Sequence, residues 1–124
     1  MAGGGLDGAG QAKVNTLEEA TGMLQRVHGM VEHYALGVKQ RTPTAHLLMQ
    51  IRRGLEPMVG LLKAQFGLVG DQVTALILVM GRGGSDNTRV RSLREGVAQL
   101  RTALEIAERK VREQHTKEVE LAPE

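Results

Sequence analysis

Two stretches of this chain, residues 17 to 38 and 90 to 111, place apolar side chains at alternating steps of three and four residues. The first reads Leu17, Ala20, Leu24, Val27, Val31, Tyr34, Val38, and the second Val90, Leu93, Val97, Leu100, Leu104, Ala107, Val111. A mean spacing of 3.5 residues returns to the same side of an α-helix at every turn, so each segment must hide a continuous seam against another helix. Composition agrees with this constraint. Aromatic content is 2%, with Tyr34 and Phe66 the only rings, so the core is built from Leu, Val, Ile, Met and Ala, which suits a helix bundle and suits a β-sandwich poorly. At 124 residues the chain is long enough for one compact core and too short for two ordinary domains.

The pattern predicts an all-α, antiparallel helix bundle of three long helices and one short one. Residues 1–14 are Gly-rich with few apolar side chains and read as a flexible leader. Residues 15–115 read as a single helical domain, and 116–124 as a polar tail. Thr16 and Glu19 stand in the S/T-x-x-E relation of a capping box, which opens helix one and carries it to about Gln40. Thr42-Pro43 is the next start signal, and a connection this short makes the first two helices a hairpin. The second helix is expected over 43–66. Its apolar phase continues across Pro57, which predicts one helix kinked near that proline rather than two. Gly67 is expected as its C-cap. Asp71 is expected to cap a short helix over 72–80, although Thr74 to Val79 would equally suit a buried strand. A lone strand has no pairing partner in a helical chain, which favours the helix. A cap among Ser85, Asp86, Asn87 and Thr88 then opens the last helix, to about Gln114.

Several classes of function are excluded or weakened. There is no Cys, so disulfides, thiol catalysis and thiolate metal sites are absent, which fits an intracellular setting, cytoplasmic or nuclear. The N-terminal residues lack the apolar run of a secretion signal. The longest apolar run, Ala75 to Met80, is far below the roughly 20 residues that cross a bilayer. The glycine loop Gly81-Arg82-Gly83-Gly84 before a helix imitates a phosphate-binding turn. No Lys-Ser or Lys-Thr pair follows it, G-x-G-x-x-G is missing, and there is no βαβ frame. His28 and Glu32 share a helix face but offer only two ligands, and His33, His46 and His115 have no evident partners in sequence. Glu105 with Arg109 and Glu108 with Arg112 read as i, i+4 ion pairs. No catalytic, metal-binding or cofactor-binding residue is assigned, and the chain reads as non-enzymatic.

Charge distribution is more informative than net charge. The chain carries 16 basic and 14 acidic residues, a formal +2. From Lys39 to Arg94, however, nine basic residues face only three acidic ones, Glu56, Asp71 and Asp86. With helices of alternating direction, Lys39, Arg41, Arg82, Arg89, Arg91 and Arg94 gather at one pole. Arg89 and Arg91 also fall at the start of a helix, where the macrodipole disfavours a cation by roughly 0.3 to 1 kcal/mol. A local rule broken in this way points to an anionic group at the pole, such as an acidic or phosphorylated segment of another protein. The function expected is therefore a protein-interaction module of adaptor or scaffold type. Two alternatives stay open. One is a self-associating structural subunit, because the apolar arcs are wide. The other is an anion-binding module for nucleic acid or an acidic membrane surface, and the scarcity of aromatic residues argues against nucleic acid. Finally, Gly22 and Gly29, seven residues apart within helix one, would let another backbone approach closely, whether of this chain or a second.

Overall fold

Asp7 starts the first helix. Its Oδ1 accepts from the Gly10 N–H at 2.6 Å, which satisfies one of the donors that a helix start leaves free. The computed structural model describes residues 6–115, and across them the chain forms four helices packed together: α1 (Gly8–Gln40), α2 (Ala45–Lys63), α3 (Gly67–Met80) and α4 (Asp86–His115). α1 lies against α2 and α4, and α3 lies against the same two helices. The contact between α3 and α4 is the sparsest of the four.

α1 begins well before the expected Thr16, so residues 8–14 belong to it and not to a flexible leader; residues 1–5 lie outside those described. The reason is a tertiary contact that sequence does not display. Asp7 N–H donates to the His115 carbonyl at 3.0 Å, and His115 Nδ1 lies 3.3 Å from Asp7 Oδ1. His115 also packs directly over Gly10, where a Cβ would collide with its side chain. Docking against the end of α4 offsets the poor helix propensity of the glycines. The expected capping box is absent. Thr16 sits inside the helix, and its Oγ1 donates back to the Ala12 carbonyl at 3.2 Å.

α1 ends with Arg41 in the left-handed region at φ 59°. Arg41 N–H reaches Val38 O at 3.2 Å and Thr42 N–H reaches Gly37 O at 3.0 Å, which is the closure of a Schellman motif. Thr42 Oγ1 donates to the same Gly37 carbonyl at 3.2 Å. Thr42 thus finishes α1 instead of starting α2, which opens at Ala45 after Thr44.

A single helix spans Pro57, as the apolar phase required, and buries Leu47, Ile51, Leu55, Met58 and Leu62. It stops at Lys63, three residues before the expected end. Gly67, expected to close it, instead opens α3, and Asp71 lies within α3 rather than capping it. Residues 74–79 are helical. At the last start, Ser85 is the cap: its Oγ accepts from Thr88 N–H at 3.1 Å.

The core is the one the heptad spacing indicated, except that Val38 and Ala107 are only partly buried. Leu17, Ala20, Leu24, Val27, Val31 and Tyr34 of α1 pack with Val90, Leu93, Val97, Leu100, Leu104 and Val111 of α4. Close helix approach is set by other glycines than Gly22 and Gly29, which face open space. A Cβ at Gly54 would stand 2.9 Å from Val27 Cγ2, and one at Gly96 would stand 2.5 Å from Leu76 Cδ1. Gly54 therefore sets the fit of α2 on α1, and Gly96 that of α4 on α3.

Candidate interaction surface

The basic residues expected at one pole divide into separate environments. Arg89 is drawn inward, with only 16% of its side chain exposed. Its Nη1 donates to Asp86 Oδ1 at 2.9 Å and to Tyr34 Oη at 3.3 Å, and its Nη2 donates to the Arg82 carbonyl at 3.1 Å. Tyr34 Oη donates to Asp86 Oδ1 at 2.8 Å. The triangle explains why a cation is tolerated in the first turn of α4: Asp86 in the same turn supplies the anion, and Tyr34 fastens both to α1. Burial raises the Tyr34 hydroxyl pKa above its ordinary value, a shift opposed by the hydrogen bond from Arg89. The hydrogen bond with Tyr34 in turn raises the Arg89 pKa.

Arg94 forms a fork with Glu32 of α1, at 2.9 Å from Nε and 2.7 Å from Nη2. The hydrogen bond from Arg94 lowers the Glu32 pKa. His28 stands 3.9 Å from the same carboxylate. Lys39 and Arg94 line one cleft of 530 Å³ with Leu36 and Asn87, whereas Arg82 and Arg89 line another of 190 Å³. Arg41 holds the turn after α1, and Arg91 is exposed on α4. Two of the six cations, Arg89 and Arg94, are therefore occupied by carboxylates of the chain itself.

His115 shares its ring between Asp7 and Lys13, whose Nζ lies 3.3 Å from Nε2. Glu108 and Arg112 form the expected ion pair at 2.9 Å. Among the described residues no group of three or more His, Cys, Asp or Glu side chains is placed to hold a metal ion. No helix among them is long and apolar enough to cross a membrane.

A different surface emerges from α3. This helix carries a single charged side chain, Asp71, in 14 residues, yet it buries only Gly70, Val73 and Leu76. Its outward ridge is Leu68, Asp71, Ala75 and Leu78, all exposed and again spaced by three and four. Leu68 is 84% and Leu78 61% exposed, and Ile106 of neighbouring α4 is 41% exposed. Among the described residues the other two large exposed apolar side chains, Leu36 and Met49, lie apart on α1 and α2, as isolated surface leucines and methionines commonly do.

Along the ridge runs a groove between α3 and α4. At one end a cavity of 400 Å³ is walled by Phe66, Leu68 and Val69 against Ala103, Ile106 and Ala107, with Lys110 at its rim. Gln72 joins it to a second cavity of 280 Å³ lined by Ala75, Leu76, Val79, Glu95, Gly96 and Gln99. Val79 and Ser92 join that one to the 190 Å³ cavity beside Arg82. The groove exists because α4 presents small side chains here: Ser92, Gly96, Ala103 and Ala107 leave a trough that α3 fills in part, with Leu76 over Gly96.

The α3 surface was not foreseen from the sequence. The run from Thr74 to Val79 suits a helix or a buried strand equally, and periodicity indicates which residues align without indicating whether both sides of a helix are covered. The available signal was that α3 holds only three polar side chains, Asp71, Gln72 and Thr74, with which to face water. No protein-family model, no curated protein and no solved structure matches the chain. Fold and surface geometry therefore stand alone in defining its class: four packed helices, one of which leaves Leu68 and Leu78 exposed on its outer side.

Proposed function

We propose that this domain is a non-enzymatic helical protein-interaction module whose working surface is the outer side of α3 together with the α3–α4 groove, and that its ligand is an apolar-faced helical segment. The observation that carries the reading is the exposure of Leu68 and Leu78 on a helix with one charge in 14 residues. An apolar ridge beside a groove is the surface onto which amphipathic helices dock. A basic pole accounts less well for the geometry, since Asp86 and Glu32 already hold Arg89 and Arg94.

Further detail of the architecture belongs to the same reading. The start of α1 meets the end of α4 at Asp7 and His115, and its end meets the start of α4 at Tyr34 and Asp86, which supports neighbouring helices of alternating direction. Loss of the Pro57 N–H from the helical ladder supports a bend in α2 there. The lack of cysteine supports an intracellular setting.

An environment-sensitive apolar dye, applied at submicromolar protein concentration, tests the surface. The native chain is expected to bind it with a fluorescence rise, and Leu68→Glu with Leu78→Glu to abolish most of that rise while the helical circular dichroism stays unchanged. Equal dye binding by the native chain and this double variant would refute the assignment.

A further inference from the structure

The outer ridge of α3 has an internal symmetry that restricts what can cover it. Leu68, Asp71, Ala75 and Leu78 are separated by three, four and three residues, so the series keeps its spacing when read backwards. Two copies of α3 laid side by side in opposite directions, about a two-fold axis level with Val73, bring each Leu68 against Leu78 of the other copy. Each Asp71 then faces Ala75 of the other copy. The only charge on the helix is thereby kept away from its own counterpart, whereas packing in the same direction would set Asp71 against Asp71. A surface that complements itself under a two-fold rotation is the requirement for an isologous dimer.

Extent limits the strength of such a dimer. At 1.5 Å per residue α3 is about 21 Å long, and with α4 beside it the face is about 20 Å wide. That projects to roughly 400 Å², about half of the roughly 800 Å² of accessible surface per partner in a standard interface, so the association is a weak one. At the centre of the ridge the short, exposed side chain of Ala75 permits close approach of the two helices.

We infer that the chain self-associates as a two-fold dimer through α3, with Leu68 of each copy seated against Leu78 of the other. This inference rests on the proposal that α3 is the working surface, and it names the occupant.

Sedimentation of the intact chain from about 1 to 500 µM is the test, a span wide enough to show a weak dimer. The weight-average mass should rise with concentration from 13.4 kDa towards twice that value. Leu68→Glu and Leu78→Glu should each weaken association at least tenfold, while Met49→Glu, on the exposed surface of α2, should leave it unchanged. Because the sequence contains no cysteine, single substitutions report register cleanly. A mixture of Asp71→Cys and Ala75→Cys chains should form a disulfide faster under mild oxidation than either variant alone. A native chain that stays monomeric throughout overturns the inference. So does a dimer that survives both glutamate substitutions, or faster cross-linking of Asp71→Cys with itself. A strict monomer that still binds the apolar dye at α3 would leave the docking surface standing and remove only the second copy as its occupant. A strict monomer without dye binding would remove both.

Discussion

Replacing Tyr34 by Phe tests whether the Tyr34, Asp86 and Arg89 triangle is one unit. The ring of Tyr34 is fully buried and remains so as Phe, so the change removes only the hydroxyl, with its 2.8 Å donation to Asp86 and the 3.3 Å contact from Arg89. Asp86 and Arg89 keep each other at 2.9 Å, and no buried group is stranded. The loss should be that of one ordinary hydrogen bond, about 1 kcal/mol. For a domain of this size that is a fall of about 4 °C in Tm. Asp86→Ala is more severe. It strips Arg89 of its carboxylate in a first turn where the macrodipole is unfavourable, and it leaves the Tyr34 hydroxyl without an acceptor, together about 2 kcal/mol. In the double variant the second loss has already been incurred, so the total should stay near 2 kcal/mol rather than about 3, a coupling of about 1 kcal/mol. Urea unfolding followed by helical circular dichroism measures all three. There is also an alkaline signature. Burial raises the Tyr34 pKa above its ordinary value of 10.0, so above pH 10 the unfolded chain releases this proton first. The stability tied to the neutral hydroxyl is present below that pH and is lost as pH rises through the folded value, a dependence Tyr34→Phe should lack. Strict additivity of the two substitutions, with an unchanged alkaline profile in Tyr34→Phe, would show that the hydroxyl does not take part.

Gly22 and Gly29 face open space within helix α1, so Gly22→Ala and Gly29→Ala should each stabilise the fold by about 0.5 to 1 kcal/mol, read as raised Tm. Gly96→Ala should do the reverse: its new methyl would stand 2.5 Å from Leu76 Cδ1, and overpacking costs about 1 to 3 kcal/mol against a helix-propensity gain of about 1. A stabilised Gly96→Ala would mean that Leu76 is not held in the α3–α4 seam. The hydrogen bond from Arg94 places the Glu32 pKa below 4.5, so the stability this pair supplies is present above that value and is lost as pH falls through the folded pKa. Arg94→Gln should remove that part of the acid sensitivity, seen as a gap between the two chains that closes on acidification.

The seams of α1 and α4 were legible because spacing alone dictates them: Leu17 to Tyr34, and Val90 to Val111 apart from the partly buried Ala107, are buried as their periodicity requires. Helix starts were less legible. Thr16-x-x-Glu19 and Thr42-Pro43 carry the right local chemistry, yet Asp7 and Ser85 are the side chains that cap. At Asp7 the choice is made by His115, more than a hundred positions away in sequence. The six cations could be counted but not sorted. Whether Arg89 faces solvent or Tyr34 depends on how α1 sits on α4, and a charge tally does not contain that. The α3 ridge stayed hidden for a related reason. Leu68 and Leu78 are as apolar as Val73 and Leu76, and only the absence of a further helix over them among the described residues separates the exposed pair from the buried one.

The meeting of Asp7 with His115 has a topological consequence. Both ends of the four-helix unit leave from the same corner, so the backbone can be closed there into a ring and cut open elsewhere without dragging any helix out of place. The exposed Gly83–Gly84 turn is the natural place for the cut, giving a permuted chain that is synthesised in the order α4, α1, α2, α3. In that arrangement the helix bearing the apolar ridge becomes the last element made, and the long α1–α4 seam becomes a contact between neighbours in sequence.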